Sequence, residues 1–592
     1  SVCLSVCLSV CLSVCLSGST SSRGFDHGCP LAAAGYSVGQ RKALETYLEQ
    51  LSQLDPDAKV YSYLDDTYVV VDRAYAALAF AGLSEAYRPL GLELNPGKTK
   101  VWSPSGPAGF PEELLRHYTN ELPVLGSHLK TPGDEGEAPA YLGRPGDALA
   151  EATDRLRKLW DKLRVLKDAG LKKQAVAALL TAYSGPASQH ALQLSFCSEQ
   201  SAKDYDIQLL STWEDLAERP LNATAVLRLG LPGKLGGAGV QWAGKRRCAA
   251  YWAGWTSLAT EVREDTGHET LEDLLNALPQ ASAQLQQARQ GLAAQGVSAS
   301  DGASLADALD THLRQRLYLA VANKKALAAH HRELGTDGKA TQNSAGGPGA
   351  GAFLAYPEDA CCTLEDALWT TALRQRLGCE RAEHSQTTYP TARNTCALST
   401  AAGVTCGCPL DANGKHSSTC QSGGGVMRKH ARLEDAVAGL VKRWTQQTPS
   451  TEQRVPTWDR TRRLRDGTER MERAILDIEY TEGGSRRWID VTIRHPAVGS
   501  PSELHRAARR AGEAARRGER EKHLRYPGDQ LTAFAVETYG RVGAEARQWL
   551  RRMSLELPED EQVAELTRAY KVVSCAVQSE LALQLRKASG LK

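Results

Sequence analysis

Apolar residues recur along the chain at two different spacings, and each spacing predicts a different element. From about residue 150 to 330 they recur every three or four positions, as in "LRKLWDKLRVLKDAGLKKQAVAALLTAY", which predicts a run of amphipathic helices. Around 61–71 and again over 473–496 they alternate with polar residues, which predicts two pairs of β-strands. Further helices are predicted at about 38–54, 73–90 and 426–445. The pattern therefore predicts an α+β protein with several domains.

Length and composition limit the class of protein. The chain has 592 residues, which is enough for about three or four domains of ordinary size. It is 42% hydrophobic and 24% charged, with a formal net charge of +2. No apolar run approaches the roughly 18 to 20 residues that a membrane helix requires. We therefore expect neither a membrane-spanning protein nor a membrane partner.

Two segments depart from this ordinary composition. Residues 1–23 begin with "SVCLSVCLSVCLSVCLS", a four-residue unit repeated without variation, and this low-complexity repeat is set aside in predicting the fold. Residues 335–360 contain "GTDGKATQNSAGGPGAGAF", which is rich in Gly, Ala and Ser and has no apolar period. Such a composition predicts a flexible linker and a domain boundary.

Fifteen cysteines are present, and several stand at metal-ligand spacing. The stretch "CGCPLDANGKHSSTC" spaces Cys406, Cys408, His416 and Cys420 as C-x1-C-x7-H-x3-C, which is typical of a structural zinc site. Cys396 is the substitute ligand if Cys406 and Cys408 cannot both reach the ion. The alternative is that these cysteines are small buried hydrophobes. The clustering favours zinc, and with it a reducing compartment.

Paired carboxylates occur at two places. In "YSYLDDTYVVV", Asp65 and Asp66 stand at the tip of a predicted hairpin, where they are either oxygen ligands for Mg²⁺ or simple turn formers. In "RAILDIEYTEGGSRRWIDVTIRHP", Asp477 and Asp490 lie in the middle of two predicted strands, separated by twelve residues. A charge inside an apolar strand is costly unless it is paired or bound to a metal. The second pair is therefore either a metal site or two acids on an exposed face.

A basic segment follows the second pair. Residues 505–525 contain eight Arg or Lys and three Glu, a local excess of +5 (8 − 3). A helix with this charge can bind nucleic-acid phosphates, although many such runs are only solvated helix faces.

Three motifs, in order, resemble those of reverse transcriptases from non-LTR retrotransposons. The segment "YLDD" resembles the polymerase-palm motif, and "GLELNPGKTKVW" (91–102) resembles the motif after it. Upstream, "FDHGCPLAAAGY" (25–36) is similar to the nucleotide-pocket motif, with His27 where Gln is usual, and "LPVLGSHLK" (122–130) looks like the primer grip. The helices from about 150 look like the thumb.

This resemblance implies that Asp65 and Asp66 descend from a Mg²⁺-dependent polymerase site and that Lys98 and Lys100 contact nucleic acid. The family requires another metal-binding Asp on an earlier strand. Only the repeat precedes "FDHGCPLAAAGY" in this sequence. We therefore expect an inactive polymerase remnant.

The D-x12-D-x-T pattern resembles the PD-(D/E)xK nuclease core, with Leu476 in place of Pro and Thr492 in place of Lys. The resemblance implies that Asp477 and Asp490 hold Mg²⁺ and that Lys522, from the basic helix over 506–525, is a displaced catalytic lysine. A cysteine-histidine knuckle before such a nuclease is the arrangement at the C-terminus of site-specific non-LTR retrotransposons. Other groups that could bind the metal or support its ligands are His430, Glu434 and Glu452, and candidate phosphate contacts are Arg509, Arg510, Arg516 and Arg517.

The expected order of parts is a repeat (1–23), a partial reverse-transcriptase palm (24–130), a helical thumb and linker region (131–334), a flexible linker (335–360), a zinc-knuckle region (361–425) and an α/β PD-(D/E)xK-like, restriction-like endonuclease (426–592). The resemblance implies a nuclear protein that nicks target DNA for target-primed reverse transcription of element RNA. Two alternatives stay open: a non-catalytic nucleic-acid-binding relic, and an RNA-binding scaffold.

Overall fold

The computed structural model of the protein describes residues 5–11 and 32–591, except for 64–65, 96, 125–126, 131–146, 298–313, 380–394, 412–413 and 464–467. The chain forms two compact units. The first comprises Ser1–Glu151 and His190–Ser201, and the second comprises Ala152–Gln189 and Ala202–Lys592. Helices and small sheets occur together along the chain, so the predicted α+β class is confirmed.

The first unit is built around a four-stranded sheet. Its elements are β1 (Ser5–Cys11), α1 (Ala32–Ser52), β2 (Lys59–Tyr63), β3 (Asp66–Asp72), α2 (Ala76–Tyr87), β4 (Lys100–Trp102), α3 (Glu112–Leu115), β5 (Glu121–Val124) and β6 (Ser127–Lys130). The strand order is β2-β3-β1-β4, and β5 pairs with β6 in a separate ribbon. Val69 and Val71 of β3 and Leu83 and Tyr87 of α2 lie in its buried core.

Setting aside the N-terminal repeat was wrong for Ser5–Cys11, because this segment is a strand in the middle of the sheet. It pairs antiparallel with both β3 and β4. The repeated unit alternates Val and Leu with Ser and Cys, and this period of two is the pattern of a strand. The strand pattern is therefore visible in the sequence even though the repeat has low complexity.

The helices from 147 onward agree with the predicted helical run. They are α4 (Asp147–Asp168), α5 (Lys173–Leu194), α6 (Glu199–Ala217), α7 (Ala223–Gly230), α8 (Ala243–Asp265), α9 (Leu271–Ala277), α10 (Pro279–Ala294), α11 (Arg314–Glu333), α12 (Thr336–Ala345) and α13 (Asp366–Leu377). Between α7 and α8, Gly236 and Gly239 take positive φ angles of 86° and 82°, as the predicted tight turn requires.

The prediction of a flexible linker at 335–360 was wrong. Thr336–Ala345 is a helix with buried residues, and the following loop is fixed by the buried guanidinium of Arg376. That side chain donates hydrogen bonds to the carbonyl oxygens of Ala350 (3.1 Å) and Gly233 (2.9 Å). A Cβ atom on Gly349 would lie 2.2 Å from Cδ1 of Tyr570. The small residues therefore permit close packing rather than flexibility.

The remaining elements form a second four-stranded sheet with helices around it. They are α14 (Lys415–Thr419), α15 (Gly425–Thr445), β7 (Ser450–Arg454), β8 (Arg460–Arg463), β9 (Glu469–Glu472), β10 (Ile475–Glu482), β11 (Ser485–Arg494), α16 (Pro501–Arg509), α17 (Glu513–Arg525), β12 (Leu531–Glu537), α18 (Ala544–Leu555) and α19 (Glu559–Ala588). The strand order is β12-β11-β10-β7, and β8 pairs with β9 in a ribbon outside this sheet. The predicted hairpin and the helix at 426–445 are confirmed.

The predicted basic helix over 506–525 is in fact two helices. Gly512, at φ 82°, stands between α16 and α17 and lets the chain change direction. Only the second of them packs against both β11 and β12. The break therefore separates Arg509 and Arg510 from the helix that carries Lys522.

We expect Gly349→Ala to destabilise the protein by about 2 to 5 kcal/mol, because the new methyl group meets Tyr570 and the residue has a positive φ of 75°. The matched control is Gly335→Ala, where nothing lies within 4 Å of the added Cβ. Because Gly335 is the N-cap of α12, where Ala is less favourable than Gly, this change should cost no more than about 1 kcal/mol. Thermal unfolding measures both. Equal stability of the two variants, with early proteolysis of the wild type in 335–353, would restore the linker interpretation.

Candidate functional site

The two strand carboxylates lie next to each other at the centre of the second sheet. Ile478 of β10 is paired with Ile489 of β11, and continuing this antiparallel register by one residue sets Asp477 beside Asp490. Asp490 is 2% exposed, so its charge is almost fully removed from water. Two adjacent carboxylates that are largely removed from water are stable only if other groups offset the cost of burying their charges.

Asp477 is compensated by hydrogen bonds. Its Oδ2 accepts the backbone N–H of Val491 at 2.6 Å and lies 3.4 Å from Nε2 of His430 on α15. Burial raises the pKa of Asp477, but the hydrogen bonds from His430 and Asp490 and the positive charge of Lys522 outweigh it, so the pKa is lowered overall. Asp477 is therefore the carboxylate of the pair that stays ionised.

Asp490 is compensated by a cation. Nζ of Lys522, on α17, lies 2.7 Å from its Oδ2. Burial raises the pKa of Asp490, the ammonium group of Lys522 opposes this, and the charge of Asp477 adds to it. The net effect is a raised pKa. A second cation in the site would stabilise the ionised form of Asp490.

Helix α15 adds a third carboxylate. His430 and Glu434 are four residues apart and so share a face of the helix, with Nδ1 of His430 3.9 Å from Oε2 of Glu434. Burial and the charge of Asp477 raise the pKa of Glu434 to about 7. The hydrogen bond with Asp477 raises the pKa of His430. Ligand atoms of His430, Glu434 and Asp477 lie within 4.8 Å of one another, which is close enough to hold one metal ion.

The sequence predicted His430 and Glu434 only as additional groups at or near the metal. Their i, i+4 spacing on the helix before the strand pair was the available signal. Glu452, the other secondary candidate, lies on β7 at a positive φ of 50°, and its charge also raises the pKa of Glu434.

The packing of α17 explains why Thr492 stands where a lysine was expected. A Cβ atom on Gly518 would lie 2.9 Å from Cγ2 of Thr492, so the helix backbone rests directly on this strand position. A long side chain at 492 would push the helix away. Lys522 is one turn after Gly518 on the same helix, and from there it reaches Asp490. The structure thus brings together the predicted Asp477, Asp490 and Lys522, while their catalytic roles stay a prediction.

A basic groove of about 710 Å³ opens beside these residues. It is lined by His430 of the carboxylate cluster and by parts of α14, α15, β11 and α17. Its cationic lining residues are Lys429, Arg460, Arg494, Arg517, Lys522 and Arg525. A positively charged groove next to paired acids is suited to binding a polyanion.

A second cluster joins Cys396, Cys406, His416 and Cys420. Sγ of Cys396 is 3.8 Å from Sγ of Cys420, and Sγ of Cys406 is 3.4 Å from Nε2 of His416. A tetrahedral zinc ion with Zn–S bonds of about 2.3 Å holds its sulfur ligands about 3.8 Å apart. The four residues therefore fit a metal such as zinc.

The ligand set corrects the prediction, because Cys408 is exposed and lies outside the cluster and Cys396 takes its place. Gly407, at φ 65°, turns the chain between Cys406 and Cys408. The Cys408 thiol stays close enough to hydrogen-bond that of Cys406, but it is not one of the four mutually close ligand groups. The hydrogen bond from the backbone N–H of Cys408 is the largest cause that lowers the pKa of Cys406 to about 6, and the Cys408 thiol lowers it further. The carbonyl oxygen of Cys408 accepts the N–H of Cys396 at 2.8 Å.

The cysteine-histidine cluster is fastened to the helices that frame the carboxylates. Nζ of Lys429, on α15 next to His430, donates to the carbonyl oxygen of Ser418 at 2.5 Å. Nε2 of Gln584, on α19, donates to the carbonyl oxygen of Cys420 at 3.3 Å. The metal cluster therefore helps to fix the start of α15.

The polymerase-like residues have a different outcome. Asp65 and residues 25–31 lie outside the described residues, and Asp66 begins β3 opposite Cys11 of β1. The described strand β1 consists of Ser, Val, Cys and Leu and so offers no carboxylate beside Asp66. Lys98 is exposed, and Lys100 begins β4.

The predicted phosphate contacts divide into two pairs. Arg509 and Arg510 are exposed at the end of α16. Arg516 is bound to Glu513 at 3.2 Å, and Arg517, which lines the groove, is 3.3 Å from Glu503. Arg516 and Arg517 are thus already engaged in ion pairs.

Neither the protein-family models nor the curated proteins compared with this sequence match it. The relationship to retrotransposons therefore stays a prediction, and only the geometry and charge of the site bear on the function. In the part of the chain that the structure describes, none of the helices has the length and apolarity needed to cross a membrane.

We expect Cys396→Ser to lose bound zinc and to lower the melting temperature, whereas Cys408→Ser should keep the metal, because only Cys396 belongs to the four-ligand cluster. Metal content measured by mass spectrometry on purified protein checks both. Retention of zinc by Cys396→Ser together with its loss from Cys408→Ser would reverse the assignment.

Proposed function

We propose that the second unit is a divalent-metal-dependent endonuclease that nicks DNA, in a protein derived from a non-LTR retrotransposon. The observation that carries this proposal is the convergence of Asp477, Asp490, Glu434 and Lys522 beside a basic groove. Paired acids with a lysine are suited to hydrolysis of a phosphodiester, and the groove is suited to the nucleic-acid backbone.

The donor set fits a hard divalent cation. Glu434 and Asp477 supply carboxylate oxygens, and Asp490 lies beside them. Burial is the main cause that raises the pKa values of Glu434 and Asp490, and a bound cation would offset its cost. Mg²⁺ prefers carboxylate and water ligands, while the nitrogen of His430 also suits transition metals. When bound, the ion would polarise the phosphate and lower the pKa of a water molecule.

The chain's own residues supply position and charge. Lys522 is held by Asp490, and from this place its ammonium group can donate a hydrogen bond to a phosphate oxygen or to the attacking water. His430 is held by Asp477 and lines the same groove, so it is available to move a proton near the reacting phosphate. The groove cations would hold the strand on either side by exchanging their present carboxylate partners, such as Glu472 for Arg460, for phosphate oxygens.

The polymerase part is proposed to be inactive. A two-metal polymerase needs carboxylates on neighbouring strands, and the described part of β1, which pairs with the Asp66 strand, carries none. Target DNA and element RNA remain the proposed partners, with Mg²⁺ and Zn²⁺ as the proposed cofactors and the nucleus as the proposed compartment. Nicking would be the step of target-primed reverse transcription that this chain performs.

A second candidate function is a non-catalytic nucleic-acid-binding relic. The contacts His430–Asp477 and Lys522–Asp490 compensate both buried acids without any metal, which is what a purely structural remnant would need. Leu476, where the family has Pro, is fully buried and packs in an apolar cluster with Trp488 and Tyr526. Cleavage separates the two candidates.

We expect the 592-residue protein to nick supercoiled plasmid in the presence of Mg²⁺. Asp477→Asn and Asp490→Asn should each reduce the rate by about 100-fold or more, since even supporting groups of metal sites contribute about 10- to 100-fold. Asp435→Asn is the matched control, because Asp435 lies next to Glu434 on α15 but is exposed. Gel quantification of nicked circles gives the rates.

Circular dichroism would establish that the variants are folded. Binding of DNA without any cleavage by the wild type would favour the relic. Equal nicking by all four proteins would identify a contaminating nuclease and remove the support for this site.

A further inference from the structure

Beside the carboxylate cluster a two-stranded ribbon projects from the second unit. It consists of β8 and β9 and belongs to neither face of the main sheet. Every residue of β8 is exposed, and so are all of β9 except the partly buried Glu472. An isolated hairpin is only marginally stable in water. The ribbon therefore gains little stability from burial, and its side chains are accessible to a ligand.

The base of the ribbon is firmly attached next to the site. The ring of Trp458 lies 5.2 Å from that of Trp488 and 6.0 Å from that of Tyr526. Trp488 is two residues before Asp490 on β11, and Tyr526 is four residues after Lys522. Asp459 closes the base by accepting the N–H of Ala474 at 2.7 Å. The ribbon is thus fixed in place relative to the acids and the lysine.

Charged residues face each other across the ribbon. The register pairs Arg460 with Glu472 and Arg462 with Arg470, so these four residues share one face. Glu472 binds Arg460 at 2.9 Å and Arg462 at 3.2 Å. Arg470 has no ion pair among the described residues. Arg462 and Arg470 stand directly opposite each other, and like charges in such a pair are destabilising, so an anion bound between them would relieve the repulsion.

The charged face continues into the groove. Arg460, at the base of the ribbon, lines the groove together with His430 and Lys522. A polyanion whose phosphate lies at the carboxylate cluster would therefore run on past the ribbon.

The shape of the ribbon selects the kind of polyanion. The major groove of B-form DNA is about 12 Å wide and admits a two-stranded ribbon, whereas that of an A-form RNA duplex is deep and too narrow. We propose that the β8–β9 ribbon enters the major groove of duplex DNA beside the cleaved phosphate, with Arg462 and Arg470 facing the DNA. This proposal rests on the proposed nuclease function for the position of the cleaved strand.

Fluorescence anisotropy at about 50 to 200 mM salt tests the proposal by measuring binding of the 592-residue protein to a DNA duplex of about 30 base pairs and to an RNA duplex of the same sequence. The test variant is Arg462→Gln/Arg470→Gln. The matched control is Arg486→Gln/Arg551→Gln, which removes the same charge from exposed sites outside the ribbon. Both pairs are exposed, so folding should be unaffected.

We expect the ribbon variant to lose DNA affinity by on the order of tenfold, and its salt dependence to fall by about two charges, while its affinity for duplex RNA and both affinities of the control variant stay within about twofold. Unchanged DNA binding, or an equal loss on RNA, would overturn the proposal.

The two proposals fail separately. A wild type that does not nick, together with a ribbon variant that binds DNA weakly, would remove the nuclease and leave the ribbon as a DNA-binding element. A wild type that nicks, with a ribbon variant that binds and nicks equally well, would remove the ribbon's role and leave the nuclease.

Discussion

The second unit is organised by the burial of two carboxylates on adjacent strands. Asp477 and Asp490 cannot remain in an apolar sheet unless donors reach them from outside it. His430 approaches from α15 and Lys522 from α17, so each helix has a fixed place and rotation relative to β10 and β11. The same donors border the groove. The contacts that offset the charges of the acids therefore also form the groove, in a single structural solution.

The cysteine-histidine cluster contributes to this solution at a distance. Its chain is tied to α15 by Lys429 and to α19 by Gln584, and Gly425 is packed so closely that a Cβ atom there would lie 2.5 Å from Cδ of Gln584. The helix that carries His430 and Glu434 therefore begins beside a cluster that fits a metal such as zinc. Folding energy from metal binding would be transmitted to the position of these ligands.

The sequence predicted the parts of the site that depend on local pattern. Alternation gave the hairpin of β10 and β11, helical spacing gave α15, and Asp477 and Asp490 followed from charges inside apolar strands. What failed depends on packing between distant segments. Gly349 lies in a stretch with the composition of a linker, and only its close approach to Tyr570 shows otherwise. Cys408 stands at the expected ligand spacing and Cys396 ten residues before Cys406, yet the folded chain brings Cys396, and not Cys408, into the four-ligand cluster.

The contact of Gly518 with Thr492 limits how this protein can change over generations. A lysine at 492 would need the helix to withdraw, and withdrawal would take Lys522 away from Asp490 and leave a buried acid without a cation. A larger residue at 518 would have the same effect without touching any acid. A larger residue at position 492 or 518, or the loss of Lys522, would therefore disturb the same contact between α17 and Asp490.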